Sequence, residues 1–425
     1  MTSSALPTTS IPRTLRSGYR PPQCGGRLFE VGEAAVPGPT RHDRDVTVVL
    51  HGARKLDADG RVDDFWLLID GHTISITGTG SPPTAGRTID VAGAWLVPGF
   101  IDLHCHGGGG LSFDGGPAAI ERALVLHRRH GTTRSVISLV TGPLEETLRQ
   151  LSEVADLTDR DPLVLGSHLE GPWLAPARRG AHDPTHLRSP DRDEFAAMLA
   201  AARGTLRQVT IAPDLPGALD MIDALVAAGV SVAVGHTECD HDLARQAFDR
   251  GARLLTHAFN AMAGIHHRAP GPVVAAIEDS RVTIELILDG EHVHPGVAGL
   301  LLRAAPGRVC LVTDAMAAAG AGDGDYRLGS LDVAVREGRA TLRGTSTLAG
   351  STLTLDRALR NAITRVGVPP VDAIAAVTSV PADALGLGDR LGRLRTGFAA
   401  DAVLLDDDWT VTAVWAAGRQ LAKAT

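Results

Sequence analysis

The feature that most constrains the fold is an alternation of strand-like and helix-like segments through the middle of the chain. Eight apolar runs rich in β-branched residues follow one another at 100–104, 133–141, 163–171, 208–214, 230–238, 253–261, 282–290 and 308–315. Segments of helical composition, such as AAIERALVLHRRHG, separate them. Apolar strands that alternate with helices predict a parallel sheet covered on both faces. Eight such units predict an α/β fold, a (β/α)8 TIM-like barrel.

An open, doubly wound sheet is the structural alternative to a barrel. Such sheets often carry a glycine-rich nucleotide-binding fingerprint directly after the first strand. No such fingerprint follows the first run of this chain. The sequence therefore favours the barrel.

Both ends of the chain outside this region contain short β-like runs, which predict a small β-sandwich domain built from both termini. The first residues are rich in Ser, Thr, Pro, Gly and Arg without a sustained period, as is typical of a disordered or loosely attached tail. The predicted organisation is a tail at 1–43, the sandwich at 44–97 and 388–425, and the barrel at 98–387 with an excursion at 317–349.

The composition narrows the expected partners and location. The 425 residues carry a formal net charge of −8 and contain no basic block, which argues against nucleic acid as a partner. No apolar run is long enough to span a membrane, and no signal-peptide pattern follows Met1. The cysteines do not form a disulfide framework, because they lie far apart at Cys24, Cys105, Cys239 and Cys310. We therefore expect a cytoplasmic protein with no membrane partner.

Polar residues follow the predicted strands at the end where barrel enzymes form their active sites. The first run ends in His104-Cys-His106. Because residues i and i+2 of a strand share a face, these two imidazoles can bind one metal ion. Any single histidine at a strand end could simply make a local hydrogen bond and have no role in metal binding. This structural explanation is weak for all of these residues together, because so many of the predicted strands end in them.

The predicted metal site contains six residues, His104, His106, Glu170, His236, His257 and Asp314. Imidazole and carboxylate ligands suit a divalent ion such as Zn, Fe or Mn. One catalytic ion needs fewer than six ligands, so we expect two divalent metal ions bridged by Glu170. Asp314 is then the expected general base, which takes a proton from the attacking water and returns it to the leaving amine. It could also be a metal ligand alone, and both roles are compatible.

Seven stretches of the chain closely resemble N-acetylglucosamine-6-phosphate deacetylases of the amidohydrolase superfamily. They are PGFIDLHCHGGGG, HLEGPWLAPARRGAH, VAVGHTE, THAFNAM, ILDGEHVHP, LVTDAM and LAGSTLTLDRAL. The resemblance implies hydrolysis of the N-acetyl amide of N-acetylglucosamine 6-phosphate to glucosamine 6-phosphate and acetate. Some members lack the histidines of the first strand and keep one ion. This chain retains both, so the resemblance also implies a binuclear site with Asp314 as acid/base.

The resemblance further implies which residues contact the substrate. His182 would approach the acetyl carbonyl and stabilise the oxyanion, which makes it a second catalytic residue. His292 would bind the sugar, and Asn260 and Ala261 would offer amide groups near the sugar phosphate. Arg268 matches an arginine that reaches the phosphate from the neighbouring subunit, which implies a homodimer.

Three alternatives stay open at the level of sequence. N-acetylgalactosamine-6-phosphate deacetylase differs only in the configuration of one substrate hydroxyl. Other amidohydrolases, such as dihydroorotase or hydantoinase, bridge their metals with a carboxylated lysine, but the fourth run, QVTIAPD, has no lysine. A non-catalytic amidohydrolase-fold scaffold protein would require a broken ligand set, and all six positions are intact here.

Overall fold

The structure, a computed structural model, describes residues 47–423. The predicted tail at 1–43 lies outside these residues. In chain order the strands are β1 (Val48–Asp57), β2 (Gly60–Asp70), β3 (Thr73–Thr79), β4 (Arg87–Asp90), β5 (Trp95–Pro98), β6 (Phe100–Asp102), β7 (Gly107–Gly108), β8 (Leu111–Ser112), β9 (Thr132–Val140), β10 (Val164–Glu170), β11 (Leu206–Ile211), β12 (Ser231–Val234), β13 (Leu254–Leu255), β14 (Thr283–Ile287), β15 (Val309–Val312), β16 (Gly324–Leu328), β17 (Leu331–Arg336), β18 (Arg339–Leu342), β19 (Ala402–Leu405), β20 (Val411–Ala416) and β21 (Arg419–Lys423).

The α-helices fall mainly between the strands of the central region. They are α1 (Pro117–Arg129), α2 (Leu144–Arg160), α3 (Arg192–Ala202), α4 (Ala218–Ala227), α5 (His241–Asp249), α6 (Gly271–Glu278), α7 (Pro295–Ala304), α8 (Leu355–Asn361), α9 (Pro370–Val377) and α10 (Ser379–Ala384). A π-helical turn, Ala362–Val366, follows α8. Among the described residues, no helix has both the length and the apolar character needed to cross a bilayer.

The central sheet consists of β6 and β9 to β15 in chain order, and each neighbouring pair is parallel. Each of the eight predicted runs overlaps one of these strands. Strand β9, TTRSVISLV, shows why the runs fold this way, because all but its last residue are buried. A parallel strand covered on both faces needs such a continuous run. The predicted (β/α)8 barrel is confirmed.

The first and last barrel strands, β6 and β15, meet just beyond their ends. The Asp314 N–H donates to the His104 carbonyl at 2.8 Å, and the His106 N–H donates to the Ala315 carbonyl at 2.8 Å. These two bonds nearly close the barrel at the rim. They also hold the two histidines of the first strand beside the aspartate of the eighth.

Asp102 strengthens this closure from inside the barrel. Its buried carboxylate accepts hydrogen bonds from Thr313 Oγ1 at 2.6 Å and from the His104 N–H at 3.2 Å. Burial raises the pKa of Asp102 to about 6, against the lowering effect of these hydrogen bonds. The carboxylate therefore ties β6 to β15 next to the first histidine.

The second large sheet joins residues from both ends of the described chain. Its strand order is β21-β20-β19-β5-β1-β2-β3, and β4 pairs with β1. Its own core is formed by alternating inward-facing residues that include Leu50, Leu67, Ile69, Leu96 and Trp415. This sheet confirms the predicted small β-domain built from both termini. The predicted residue boundaries of the domains stay predictions.

A three-stranded antiparallel sheet, β16 to β18, lies inside the segment 317–349. It packs its apolar face, with Val333 and Val335, onto Met316. The Ser330 hydroxyl donates to Asp183 Oδ2 at 2.7 Å. The sheet therefore contacts segments that follow two of the barrel strands.

One buried ion pair links the barrel to the second large sheet. Arg134 on β9 donates to Asp401 from Nε at 2.6 Å and from Nη2 at 3.1 Å. The two side chains are 9% and 7% exposed, so water screens them little. Removing one partner of such a pair leaves a buried charge uncompensated.

We expect Asp401→Asn to lower the free energy of unfolding by about 3 kcal/mol, because Arg134 loses its counter-charge. Urea denaturation measures this loss. The matched control is Asp407→Asn, since Asp407 also pairs with an arginine but is 79% exposed. That control should change stability by less than about 1 kcal/mol. Equal losses in the two variants would contradict the role of the buried pair.

Candidate active site

The six predicted metal ligands converge at the carboxyl ends of the barrel strands. His104 and His106 follow β6, and Glu170 is the last residue of β10. The other three each stand two residues beyond the end of a strand: His236 after β12, His257 after β13 and Asp314 after β15. All six are buried. Their convergence follows from the parallel sheet, because the ends of all eight strands meet at one rim.

The carboxylate of Glu170 lies at the centre of this cluster. Its Oε1 is 3.0 Å from His236 Nε2, 3.1 Å from His257 Nε2 and 3.4 Å from His104 Nε2. Its Oε2 is 3.2 Å from His106 Nε2. Burial would raise the pKa of Glu170, but the nearby imidazoles, His104 first among them, hold it well below its usual range. Glu170 is therefore an ionised carboxylate that four imidazoles share.

The imidazoles approach one another as closely as they approach the carboxylate. His104 Nε2 is 3.1 Å from His106 Nε2, and His236 Nε2 is 3.0 Å from His257 Nε2. Two groups of possible ligand atoms result, and Glu170 belongs to both. Nitrogen lone pairs directed at one point repel each other unless a cation lies between them. The donor set therefore fits divalent metal ions.

Asp314 completes the cluster on the side of the first strand. Its Oδ1 is 3.4 Å from His106 Nε2 and 3.7 Å from His104 Nε2. Its backbone is left-handed, with φ at +46°, and that of His236 is similar, with φ at +48°. Non-glycine residues rarely adopt this conformation, and strained residues concentrate at functional sites. This backbone conformation turns the side chains of His236 and Asp314 away from the strand direction and into the cluster.

The outer nitrogens of the ligand imidazoles have unequal partners. His104 Nδ1 is 3.1 Å from Oε2 of Glu285, which lies on β14 and is fully buried. His236 Nδ1 is 2.8 Å from the Arg178 carbonyl oxygen. Within residues 47–423, Nδ1 of His106 and Nδ1 of His257 have no hydrogen-bond partner. Glu285 is the residue that sequence reasoning missed, although a charged residue inside the apolar run TIELI signals an unusual environment.

His168 is also at the end of a barrel strand, but it belongs to a different network. Its Nδ1 is 2.9 Å from Ser138 Oγ, and its Nε2 is 2.9 Å from Thr210 Oγ1. Burial, reinforced by the charge of His104, holds the pKa of His168 well below its usual range. It is a neutral core histidine with both nitrogens satisfied.

Two of the predicted substrate contacts are histidines that lie beside carboxylates. His182 Nε2 is 3.3 Å from Glu170 Oε2. Burial lowers the pKa of His182 although the charge of Glu170 opposes the change, so the imidazole is neutral at physiological pH. His292 Nδ1 is 2.7 Å from Asp289 Oδ2. Burial would lower the pKa of His292, but the hydrogen bond to Asp289 outweighs burial and raises it.

The other predicted contacts are on the segment that follows β13. Asn260 is half-buried and donates from Nδ2 to the His257 carbonyl at 3.2 Å. Ala261 has a left-handed backbone, with φ at +51°. Arg268 is exposed, and its Nη1 lies 2.7 Å from His267 Nε2 on the same loop. Asn260 therefore contacts the predicted metal-binding residue His257, whereas the hydrogen bonds of Arg268 stay within its own loop.

A (β/α)8 barrel with buried imidazoles and carboxylates converging at its strand ends is the architecture of a metal-dependent barrel enzyme. The sequence profile of the Amidohydrolase family matches residues 95–421. The chain belongs to this family.

Two relatives that match most of the chain are named as amino-sugar-phosphate deacetylases. The chain is 37% identical to N-acetylgalactosamine-6-phosphate deacetylase of Escherichia coli O157:H7 over 88% of its own length and 99% of that protein. It is 37% identical to N-acetylglucosamine-6-phosphate deacetylase of Bos taurus over 77% and 84% of the two chains.

A solved structure shows the same fold. It is a mutant of N-acetyl-D-glucosamine-6-phosphate deacetylase from Mycobacterium smegmatis in complex with N-acetyl-D-glucosamine-6-phosphate. It superposes with a TM-score of 0.84 at 44% sequence identity, and the match covers 90% of this chain and all of that one.

Proposed function

We propose that this protein is a deacetylase that hydrolyses the N-acetyl amide of N-acetylglucosamine 6-phosphate. The products are glucosamine 6-phosphate and acetate, which places the enzyme in amino sugar catabolism and recycling. The main support is the cluster of imidazoles and carboxylates around Glu170, which lies at the strand ends of the barrel. Relatives of this chain are named N-acetylglucosamine-6-phosphate deacetylase. A non-catalytic scaffold protein is disfavoured, because such a protein would have lost some of the metal-binding residues. Here all six predicted ligands are present and buried.

The epimeric substrate, N-acetylgalactosamine 6-phosphate, is the second candidate. One observation favours this substrate. The chain matches nearly the whole length of the E. coli O157:H7 enzyme that is named N-acetylgalactosamine-6-phosphate deacetylase. The two sugars differ in the configuration of one hydroxyl. The reaction at the acetamido group is the same for both.

We infer that the site holds two divalent metal ions, with Zn, Fe or Mn as candidates. His104, His106 and Asp314 would bind one ion, His236 and His257 the other, and Glu170 would bridge them. When bound, such ions lower the pKa of water and polarise a carbonyl, so that amide hydrolysis proceeds at neutral pH. The shared position of Glu170 between the two histidine pairs supports this assignment.

Two side chains would perform the proton transfers and stabilise charge. Asp314 would take a proton from the attacking water and deliver it to the nitrogen of the leaving amine, which needs a proton to depart. His182 is neutral, so one of its nitrogens carries a proton that can be donated to the acetyl oxygen. Such a donor stabilises the negative charge that develops there during attack.

The remaining predicted contacts would hold the sugar phosphate. The bond to Asp289 orients the His292 ring and raises its pKa, which would favour a hydrogen bond from the ring to a sugar hydroxyl. The backbone and side-chain amides at Asn260 and Ala261 would accompany Arg268 at the phosphate. Because Arg268 is on an exposed loop, we propose that it serves the site of the neighbouring chain in a homodimer.

We also propose a cytoplasmic location. Among the described residues Cys105, Cys239 and Cys310 are all free thiols, and all three are buried. Proteins of oxidising compartments more often pair their cysteines.

The direct test is release of acetate from the two 6-phosphorylated N-acetylhexosamines, after a chelator has removed metal and Zn²⁺ has been added back in known amounts. We expect activity to be lost with the metal and to rise until about two equivalents per chain are bound. His106→Ala should lower the stoichiometry to about one. Full activity in the metal-free protein would overturn the proposal, and saturation at one equivalent would overturn the second ion.

We expect Asp314→Asn to lose at least about 10³-fold in kcat, because the amide cannot accept the proton of the attacking water. Substrate binding should persist, which calorimetry with N-acetylglucosamine 6-phosphate can measure. Asp289→Asn is a useful comparison, since that change affects His292 and should act mainly on KM. Substantial turnover by the Asp314 variant would remove it from the proton transfer.

We expect Arg268→Ala to raise KM by about 10- to 100-fold for the phosphorylated sugar and to leave any turnover of unphosphorylated N-acetylglucosamine nearly unchanged. Steady-state kinetics with both sugars separates the two effects. Arg303, on α7, offers a control arginine that should show neither effect. If both sugars respond equally, Arg268 does not contact the phosphate.

A further inference from the structure

We propose that Glu285 positions His104 and supplies the counter-charge for a metal ion at the His104–His106 pair. The inference rests on the proposed metal-dependent function and deepens it. It assigns a role to a residue that lies outside the six predicted ligands.

Hydrogen bonds fix the carboxylate of Glu285 from both sides. Its Oε1 accepts from Gln208 Nε2 at 2.7 Å, and its Oε2 lies 3.1 Å from His104 Nδ1. A carboxylate accepts hydrogen bonds, so the proton of a neutral His104 ring stays on Nδ1. The Nε2 lone pair then faces Glu170 and His106, where a metal ion needs it. A carboxylate behind a ligand histidine fixes both the tautomer and the ring orientation in this way.

Among residues 47–423 the carboxylate of Glu285 has no lysine or arginine as a partner. Glu285 is fully buried, and its hydrogen-bond partners there are Gln208, the His104 ring and the His257 backbone N–H. The charge that can compensate Glu285 is therefore one on the His104 ring or on a metal ion bound to that ring. A buried carboxylate without such compensation is costly, so Glu285 favours a cation at His104.

The buried negative charge around His104 supports cation binding at this pair. Among residues 47–423 the carboxylates of Glu170, Asp314 and Glu285 approach the predicted ligand imidazoles. The buried Asp102 carboxylate also accepts a hydrogen bond from the His104 backbone N–H. A bound cation would offset this negative charge and so reduce the cost of burying it.

The effect of Glu285 should be confined to one of the two histidine pairs. In the other pair His236 Nδ1 meets a neutral backbone carbonyl, and the His257 ring has no partner at Nδ1 among the described residues. Among residues 47–423, only the His104–His106 pair therefore has a carboxylate directly behind a ligand imidazole. A residue that merely supports the barrel would not show this selectivity.

The test is Glu285→Gln, combined with variants that remove one histidine pair at a time. Zn²⁺ affinity is measured by competition with a chromophoric chelator. In the His257→Ala background, which keeps the His104–His106 pair, we expect E285Q to weaken Zn²⁺ binding by about 10- to 100-fold. In the His104→Ala background, where Glu285 has lost the ring through which it acts, the same change should alter affinity by less than about 3-fold.

A matched control separates this role from simple support of the fold. Asp356 is also a carboxylate behind an imidazole, with its Oδ2 2.8 Å from His130 Nδ1, but outside the candidate metal cluster. Asp356→Asn should leave Zn²⁺ affinity and the rise in Tm on Zn²⁺ addition unchanged. E285Q should make that rise smaller.

Several outcomes would overturn the inference. Equal weakening in both backgrounds, or an unchanged Zn²⁺ affinity with a lower Tm in both the metal-free and the loaded protein, would show that Glu285 only supports the barrel. Should E285Q fail to fold, Gln208→Leu, which removes the amide that holds Oε1, tests the same selectivity. A parent protein that binds Zn²⁺ but releases no acetate would refute the proposed function alone, since the Zn²⁺ measurements still decide the role of Glu285.

Discussion

The site depends on one constraint, the near-closure of a parallel sheet so that its first strand lies beside its eighth. The backbone bonds between the His104 and Asp314 segments set this contact. Once it forms, all eight carboxyl ends share one rim, and residues far apart in sequence become neighbours. The Asp102 carboxylate secures the same contact from the barrel interior. Stability and catalytic geometry therefore depend on the same few hydrogen bonds.

The electrostatics of the rim follow from that geometry. Four ligand imidazoles meet one carboxylate in a space from which water is largely excluded, and the His182 ring meets the same carboxylate from another side. Protonation alone does not stabilise such a cluster well. Neutral imidazoles direct nitrogen lone pairs at each other, and protonated imidazoles repel each other by their positive charges. A divalent cation between the nitrogens removes both repulsions. Glu285 also contributes negative charge to the site, but from behind the His104 ring, so that it would not contact a metal ion directly.

The barrel and most of the cluster could be predicted because both leave local signals. Strands such as TTRSVISLV are apolar throughout, and residues that end them converge in any parallel barrel. The partner of His104 could not be predicted in the same way, because β14 lies beside β6 only once β15 closes the barrel between them, and no local pattern pairs Glu285 with that ring. The left-handed backbone of Asp314 could not be predicted either, since aspartate adopts this conformation more readily than most residues but the surrounding structure decides where it does so. A role for Arg268 in a neighbouring site depends on a second chain, which no single-chain pattern encodes.

The divided second sheet has a consequence for synthesis on the ribosome. Strand β5 lies between β1 and β19, and β19 is translated long after β5, once the whole barrel has emerged. Until then β5 presents an unpaired edge, which is the kind of surface that recruits strands from other nascent chains. During this interval Arg134 lacks its ion-pair partner, the carboxylate of Asp401. Chaperone demand should therefore peak late in translation, and a ribosome stalled before β19 would release a chain that is prone to aggregate although all of its proposed site residues have been synthesised.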